Sequence, residues 1–221
     1  MKKSSILILI IICLCSCGKS SKKVSITGEI KGLGTDTLYL YGMDESFDRI
    51  DTIFAKNDKF SYTASIDTIT SAFLLIDNQT EYPIFLDKGN QIKIKGDTIN
   101  LNFLTISGNI YNEEFTDFQK ALEDPADPSE KAGEETVDKR ITVEKANTAE
   151  EMAEEFILQH HSSYVSLYLL DKYFVQKETP DFSKIKKLVE VMTGVLQDKP
   201  YIERLNETIT QAEKSEIGKY A

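Results

Sequence analysis

Between residues 24 and 107 apolar and polar residues change places at nearly every second position, and turn formers cut the alternation into short runs. Strand side chains point alternately to the two faces of a sheet, so this period marks strands with one face in a core and one in water. Val24, Ile26 and Ile30 alternate with polar neighbours, Gly32-Leu33-Gly34 turns the chain, and Leu38 and Leu40 face away from Tyr39 and Tyr41 in a run from Thr37. Arg49 to Ala55 leads to Asn57-Asp58, two residues that tolerate positive φ and so suit a tight hairpin. Phe60, Tyr62, Ala64 and Ile66 then share a face. Ala72 to Ile76 and Tyr82 to Leu86 flank Asn78-Gln79, Lys88-Gly89-Asn90 turns into Ile92 and Ile94, and a last run from Ile99 to Ile106 ends at Ser107-Gly108. About eight short strands at nearly regular spacing predict an antiparallel β-sandwich or barrel over residues 24–108.

From Asn109 the period changes. Tyr111, Phe115, Phe118 and Leu122 recur at three and four residues, the stripe of a helix that stops before Asp124-Pro125-Ala126-Asp127-Pro128. Residues 123 to 155 hold twelve acids against Lys131, Lys139, Arg140 and Lys145, which reads as a solvated helix face or connector. A helical pattern resumes from Ala149 to Gln159 and ends near His160-His161. Ser162-Ser163 caps the segment Tyr164 to Val175, which is apolar on nearly every side and predicts a central helix. Asp181 starts another helix, with Phe182, Ile185, Leu188, Val189, Met192 and Val195 on one face. Pro200 suits the first turn of the last, whose stripe is Ile202, Leu205, Ile209 and Ala212. Residues 109–221 are therefore expected to form a helical bundle, and the fold class is α+β.

The first residues follow neither period. Lys2 and Lys3 precede an apolar run from Ile6 to Leu14, and Ser16 stands directly before Cys17. The run is too short for the ~20 apolar residues of a membrane-spanning helix and has the layout of a secretory signal peptide. Leu14-Cys15-Ser16-Cys17 resembles the bacterial lipobox. That resemblance implies cleavage between Ser16 and Cys17, removal of residues 1–16, and a thioether-linked diacylglycerol on Cys17, usually with a third acyl chain on its amine. Two or three chains, at ~0.8 kcal/mol for each buried CH₂, anchor a protein stably on a bilayer. Residues 17–23, Cys-Gly-Lys-Ser-Ser-Lys-Lys, read as a lipidated, flexible tether. In lipoproteins of the Bacteroidota an acidic stretch after the cysteine accompanies surface export; here the stretch is basic, which favours the outer membrane facing the periplasm.

Charge narrows the partners. With 26 basic and 36 acidic residues the chain carries a formal charge of −10. Loss of Lys2 and Lys3 takes it to −12. An acidic surface without a basic stripe repels phosphate, so nucleic acid is excluded as a partner. All three cysteines lie at or before Cys17. The mature chain then has no free thiol, which rules out disulfides and thiol exchange within it.

Catalytic chemistry finds little support. His160 and His161 are the chain's two histidines; neighbours on a helix point about 100° apart and cannot share one metal as an i, i+4 pair does. Ser162 and Ser163 lack a Gly-x-Ser-x-Gly elbow. Gly32-Leu33-Gly34 lacks the rest of a dinucleotide fingerprint. Asp36, Asp44, Asp48 and Asp51 have no calcium-loop spacing, and spacing does not show whether Asp87, Asp97 and Asp117 meet. No catalytic residue, metal or cofactor is assigned. Tyr39, Tyr41, Tyr62 and Tyr82 would give a glycan stacking surface only if they stood on an exposed sheet face; aromatic residues in strands are more often packed.

The strands carry a further resemblance. Val24-Ser25-Ile26-Thr27-Gly28-Glu29-Ile30, Asp36-Thr37-Leu38-Tyr39-Leu40-Tyr41 and Phe85-Leu86-Asp87-Lys88-Gly89-Asn90-Gln91-Ile92 resemble the N-terminal domain of unknown function 4369 of Bacteroidota envelope lipoproteins. In many of these a motif similar to His161-Ser162-Ser163-Tyr164-Val165-Ser166 follows, and then a thioredoxin-like domain of the thiol:disulfide interchange class. Ile217-Gly218-Lys219-Tyr220-Ala221 resembles the start of that domain, but the sequence stops at Ala221 without its Cys-x-x-Cys. The expectation is a membrane-anchored, non-enzymatic cell-envelope lipoprotein, a binding or spacer module whose partners are the membrane, through acylated Cys17, and an envelope protein. The alternative is the accessory N-terminal part of a thiol:disulfide oxidoreductase whose thioredoxin-like domain is missing or encoded separately.

Overall fold

Two-residue turns with left-handed backbone set the strand pairings. Asn57 (φ 51°) and Asp58 (φ 67°) join β3 (Ile50–Lys56) to β4 (Lys59–Ser65), matching the right-handed twist of the strands they connect. The computed structural model describes residues 22–43, 47–123 and 148–217. Cys17, Ser16, Asp44, most of the acidic stretch and Gly218 to Ala221 lie outside those residues. The hairpin between β5 (Thr70–Ile76) and β6 (Thr80–Leu86) turns on Asp77 (φ 53°) and Asn78 (φ 58°), one residue earlier than the Asn78-Gln79 pair. The Asp77 carboxylate decides this by accepting from the N–H groups of Gln79 (3.2 Å) and Thr80 (2.9 Å).

With β1 (Lys23–Lys31), β2 (Thr37–Gly42), β7 (Gln91–Asp97) and β8 (Thr105–Ser107) the strands form one sheet in the order β6-β5-β2-β3-β4-β1-β7-β8. β3 and β4 pair only beside their turn, at Ala55↔Phe60 and Lys56↔Lys59, and diverge beyond it. The sheet curls there into a nearly closed, barrel-like form, and helices follow it, so the α+β class holds. The pairings are not all antiparallel as expected: β1 and β7 run parallel from Ser25↔Gln91 to Lys31↔Asp97. The last strand is also shorter than its apolar pattern implies. Ile99 is 91 % exposed in a 3₁₀ turn, Thr98–Asn100, whose cap is the Asp97 carboxylate accepting from the Ile99 N–H at 2.9 Å.

Leu38, Leu40, Ile53, Leu74 and Ile84 line the inside of one half of the sheet, and Val24, Ile26, Ile92 and Ile94 that of the other, all buried. Gly28 lies opposite Phe60, whose ring fills the space over it; a Cβ on Gly28 would meet Phe60 Cζ at 2.1 Å.

The curled sheet leaves two edges, β6 and β8, and α1 (Ile110–Glu123) fills the gap between them. The Phe85 N–H donates to Asn112 Oδ1 (2.9 Å), and Asn112 Nδ2 donates back to the Phe85 carbonyl (2.8 Å). One turn on, the Ile106 N–H donates to Thr116 Oγ1 (3.0 Å), which donates to the Ile106 carbonyl (3.1 Å). Asn112 and Thr116 are buried, and each does for an edge residue what another strand's peptide group would do. Asn109 caps the helix by accepting from the Asn112 N–H (2.9 Å) and ties it to the sheet by donating to the Phe85 carbonyl (2.8 Å).

Among the described residues four more helices follow, α2 (Ala149–Gln159), α3 (Tyr164–Leu170), α4 (Phe182–Val191) and α5 (Pro200–Ile217). Thr148 and Glu151 close a capping box on α2, Ser163 caps α3, Asp181 caps α4, and Pro200 opens α5. α3 continues as a wide π turn, Asp171–Val175. The face expected to run through Val195 breaks after Val191, where Met192 turns extended (ψ 142°); the chain re-enters a 3₁₀ turn at Gly194–Leu196, in which Val195 faces outward and Leu196 is buried. Rings stitch the helices to the sheet: Phe115 meets Tyr82, Phe85, Phe118 and Tyr168 with centroids 5.3 to 6.5 Å apart, and Tyr111 meets Tyr164 at 5.3 Å. The buried residues of strands and helices make one continuous hydrophobic core.

Removing either bridging side chain strands buried peptide groups. Asn112→Ala is expected to cost about 2–4 kcal/mol, and Thr116→Val, which keeps the volume, about 1–3 kcal/mol. Urea unfolding followed by circular dichroism measures both; costs below about 0.5 kcal/mol would show that water satisfies the edges instead.

Candidate functional site

The His161-Ser162-Ser163-Tyr164-Val165-Ser166 motif is a helix junction. His160 closes α2, its Nδ1 3.0 Å from the Phe156 carbonyl and its ring stacked on Phe156 at 4.0 Å. His161 is exposed and sits 2.7 Å from the Leu158 carbonyl through Nε2. Ser163 Oγ accepts from the Val165 N–H (3.2 Å) and donates to Glu114 of α1 (2.5 Å), while buried Ser166 donates to the His160 carbonyl (2.7 Å). These hydroxyls hold α2, α3 and α1 together, and neither is bonded to a histidine ring. Ser162 is exposed.

The carboxylates singled out in the sequence are used one by one. Asp36 accepts from the Thr37 N–H (2.7 Å), Asp87 from the Lys88 N–H (2.8 Å), Asp97 caps its 3₁₀ turn, and Asp117 pairs with Lys120 (3.1 Å). Among the described residues no group of three or more His, Cys, Asp or Glu side chains is placed to hold a metal ion. Gly32 and Gly34 serve a turn at positive φ, 81° and 68°. Of the four tyrosines, Tyr82 is inside, 1 % exposed, its hydroxyl donating to the Leu104 carbonyl (2.8 Å) and lying against Gln119. It cannot stack on a ligand. Tyr41 donates to Glu81 and Tyr62 to Asp51, and Tyr39 is half-buried.

What the structure assembles instead is a groove where the sheet meets the helices. One shallow, open hollow of about 480 Å³ is lined by Tyr41, Met43, Phe47, Asp48, Arg49, Ile50 and Arg204. A second, of about 360 Å³, lies beyond Arg204 and is lined by Val175, Pro180, Phe182, Tyr201 and Leu205. Arg204 borders both. A narrow cleft at Met43, Ser71, Tyr168, Asp171 and Tyr201 connects the same walls. The π turn of α3 presents Asp171 here, as such turns frequently do at functional positions. Its carboxylate accepts from the Tyr201 hydroxyl (2.5 Å) and from Gln176 Nε2 (2.5 Å).

Electrostatics hold these side chains in fixed states. Burial, then the bond to Asp171, raises the Tyr201 hydroxyl well above the ordinary tyrosine value; burial and Glu81 do the same to Tyr41. Burial and Asp51 push Tyr62 up to about 12. Burial would raise Asp51, but the Tyr62 hydroxyl and the Arg49 guanidinium, with Nε at 2.7 Å, outweigh it and hold the carboxyl below its usual range. At neutral pH these tyrosines are therefore neutral donors. Arg49 also lies 4.5 Å over the ring of buried Phe47. An arrangement of tethered donors, two guanidinium groups and apolar walls is suited to binding.

Residues 24–115 match a protein-family model described as Domain of unknown function (DUF4369). No curated protein matches the chain. The DUF4369 stretch contains all eight strands but for Lys23 and runs into α1, so it includes Asn109, Asn112 and Phe115 and one wall of the groove. The other wall, from α3 and α5, lies beyond it. None of the groove's helical residues was singled out in the sequence for chemistry; the available sign is that arginine occurs only three times, at Arg49, Arg140 and Arg204.

The Asp51 contacts carry a pH test. Because its folded pKa is depressed, the stability it contributes is present above the ordinary carboxylate range and is lost as pH falls through the folded value. Asp51→Asn is expected to cost about 1 kcal/mol at pH 7 and close to nothing at about pH 2. Urea midpoints of both proteins across that range measure it, and a cost independent of pH would contradict the assignment.

Proposed function

We propose that the chain is a membrane-anchored, non-enzymatic cell-envelope lipoprotein that acts as a binding module. The observation that carries this is the register of Lys2 and Lys3, the apolar run and Leu14-Cys15-Ser16-Cys17, which resembles a lipobox. Among the described residues no helix is long and apolar enough to cross a membrane. Attachment in this reading rests on the acyl chains of Cys17 alone. Five residues, 18–22, separate Cys17 from Lys23, the first residue of β1, which makes six Cα-to-Cα steps. At ~3.3–3.6 Å per residue they reach about 20 Å, so the sheet stays beside the bilayer. The basic tether, with Lys19, Lys22 and Lys23, supports the outer membrane facing the periplasm as its place. The groove supports binding as its work, with an envelope protein or a small molecule as the occupant.

The resemblance of the strands and of His161-Ser162-Ser163-Tyr164-Val165-Ser166 supports one other reading. In that reading the chain, resembling the non-catalytic front of thiol:disulfide interchange proteins, is the accessory part of such an oxidoreductase. A Cys-x-x-Cys encoded in frame beyond Ala221, or in an adjacent gene, is what that reading requires; sequencing the locus decides it.

Cells grown with radiolabelled palmitate test the anchor. The native chain is expected to take up label and to sediment with the outer membrane, protected from protease added to intact cells. Cys17→Ala is expected to lose the label completely and to accumulate as unprocessed precursor. Label that persists in Cys17→Ala, or a native chain that takes up none, overturns the anchored reading.

A further inference from the structure

The register of four strands gathers a basic face that no single run of the sequence contains. On β1, β4, β7 and β8 alternate residues such as Ile26, Phe60, Ile94 and Ile106 are buried, so the positions between them point away from the core. Pairing then sets Ser61, Thr27 and Lys93 side by side, Lys59, Glu29 and Lys95 in the next outward row, and Lys31 beside Asp97 beyond it. Lys23 heads β1 on the same face, and every other outward side chain of the four strands is serine, threonine or glutamine. Five lysines therefore stand against two carboxylates, on a chain whose formal charge is −10. We propose that this face lies against an anionic lipid bilayer. The proposal rests on the reading of the chain as an anchored lipoprotein and names the side of the domain that the membrane meets.

Charge and position both favour a bilayer. Lys31, Lys93 and Lys95 are exposed and form no ion pair among the described residues, and Lys59 reaches Glu29 at 3.8 Å with both side chains more than half exposed. Asp97 is engaged, accepting from the Ile99 N–H at 2.9 Å. A lysine held near an anionic membrane strengthens binding roughly five-fold, so several together decide the orientation of a domain that its lipid already holds there. Serine, threonine and lysine without an outward aliphatic or aromatic side chain suit phosphate headgroups better than the apolar centre of a protein interface. Position adds the second argument. β1 begins at Lys23, five residues beyond residue 18 less one, and β4 and β7 flank it, so the strand that leaves the tether lies within this face. At ~3.3 Å per residue Lys93, beside Thr27, lies about 13 Å along β1 from Lys23, and Lys95, beside Glu29, about 20 Å. None of the residues lining the groove belongs to these four strands, so the contact leaves the groove open.

The test is lysine acetylation by sulfosuccinimidyl acetate, read residue by residue by mass spectrometry, on the full-length protein purified from membranes. The protein is held in nanodiscs of phosphatidylcholine alone or with about 30 % phosphatidylglycerol, at about 0.15 M NaCl. Lys93 and Lys95 are expected to react at least about five-fold more slowly in the anionic discs, and exposed Lys187 of α4 to keep within about two-fold of its rate in the neutral ones. About 1 M NaCl, which shortens the screening length to ~3 Å, should abolish the difference. Lys93→Glu combined with Lys95→Glu should leave Lys31 and Lys59 reacting alike in the two kinds of disc, with the thermal midpoint within about 2 °C of the parent. Lys93→Gln with Lys95→Gln serves in its place if that variant does not fold. Equal rates in the two discs, slowing of Lys187 as great as that of Lys93, or a charge-reversed variant that still shields Lys31 and Lys59 would each overturn the proposal. So would poly-glutamate that shields the face equally in neutral discs, which would assign it to an acidic protein instead. Palmitate label on the same preparation separates the two failures: label without lipid-dependent shielding removes this inference and leaves the anchored module, whereas absence of label removes the anchored reading and this inference with it.

Discussion

β6 and β8 end the sheet with peptide groups that face no further strand, and α1 meets them with two side chains one helical turn apart. Asn112 and Thr116 each combine a donor and an acceptor, so each engages both the N–H and the carbonyl of one edge residue, Phe85 and Ile106. Direct closure would need β8 to reach β6, but β8 is three residues long. An exposed edge is a template for pairing with other chains, and a buried, unpaired one costs about 1–3 kcal/mol for each stranded group. The helix removes both difficulties. It also loses a degree of freedom, because only one rotation about its axis puts Asn112 on β6 and Thr116 on β8.

That rotation determines what the remaining faces of α1 can do. Phe115, between the two bridging residues in sequence, enters the ring cluster of Tyr82, Phe85, Phe118 and Tyr168, while Tyr111 and Glu114 meet Tyr164 and Ser163 at the start of α3. α3 is thereby placed along the outer side of β5, where Tyr168 meets Phe73 with centroids 6.3 Å apart. The π turn that ends α3 brings Asp171 to Tyr201, and α5 carries Arg204 to the strand side of the groove. The groove is the line along which the helices stop covering the sheet, so its position follows from the edge bridges.

Features written in local chemistry were legible in the sequence. Asn57-Asp58 dictates its own hairpin, Ser163 and Asp181 cap the helices they precede, and Pro200 opens the last one, because each acts within a few residues. Period two tells which faces are buried but not which way a neighbour runs, so the parallel β1–β7 ladder was not readable. Ile99 looks like strand because it is β-branched; the Asp97 carboxylate competes by closing a 3₁₀ turn and wins. Asn112 and Thr116 were hidden for a different reason. Polar residues beside an apolar stripe ordinarily mark a helix's wet side, and only tertiary placement turns them into strand substitutes.

The same contrast separates what can be said of place from what can be said of chemistry. The lipobox-like stretch is a linear pattern, and Cys17 stands in it by register with its neighbours. The groove walls that carry Arg49, Asp171, Tyr201 and Arg204 have no linear pattern, since these residues serve different elements and come together only after α1 has fixed the helices to the sheet. The two are nonetheless connected by distance. The six Cα-to-Cα steps from Cys17 to Lys23 reach ~20 Å at full stretch, so a lipid on Cys17 would hold the groove in the layer next to the bilayer.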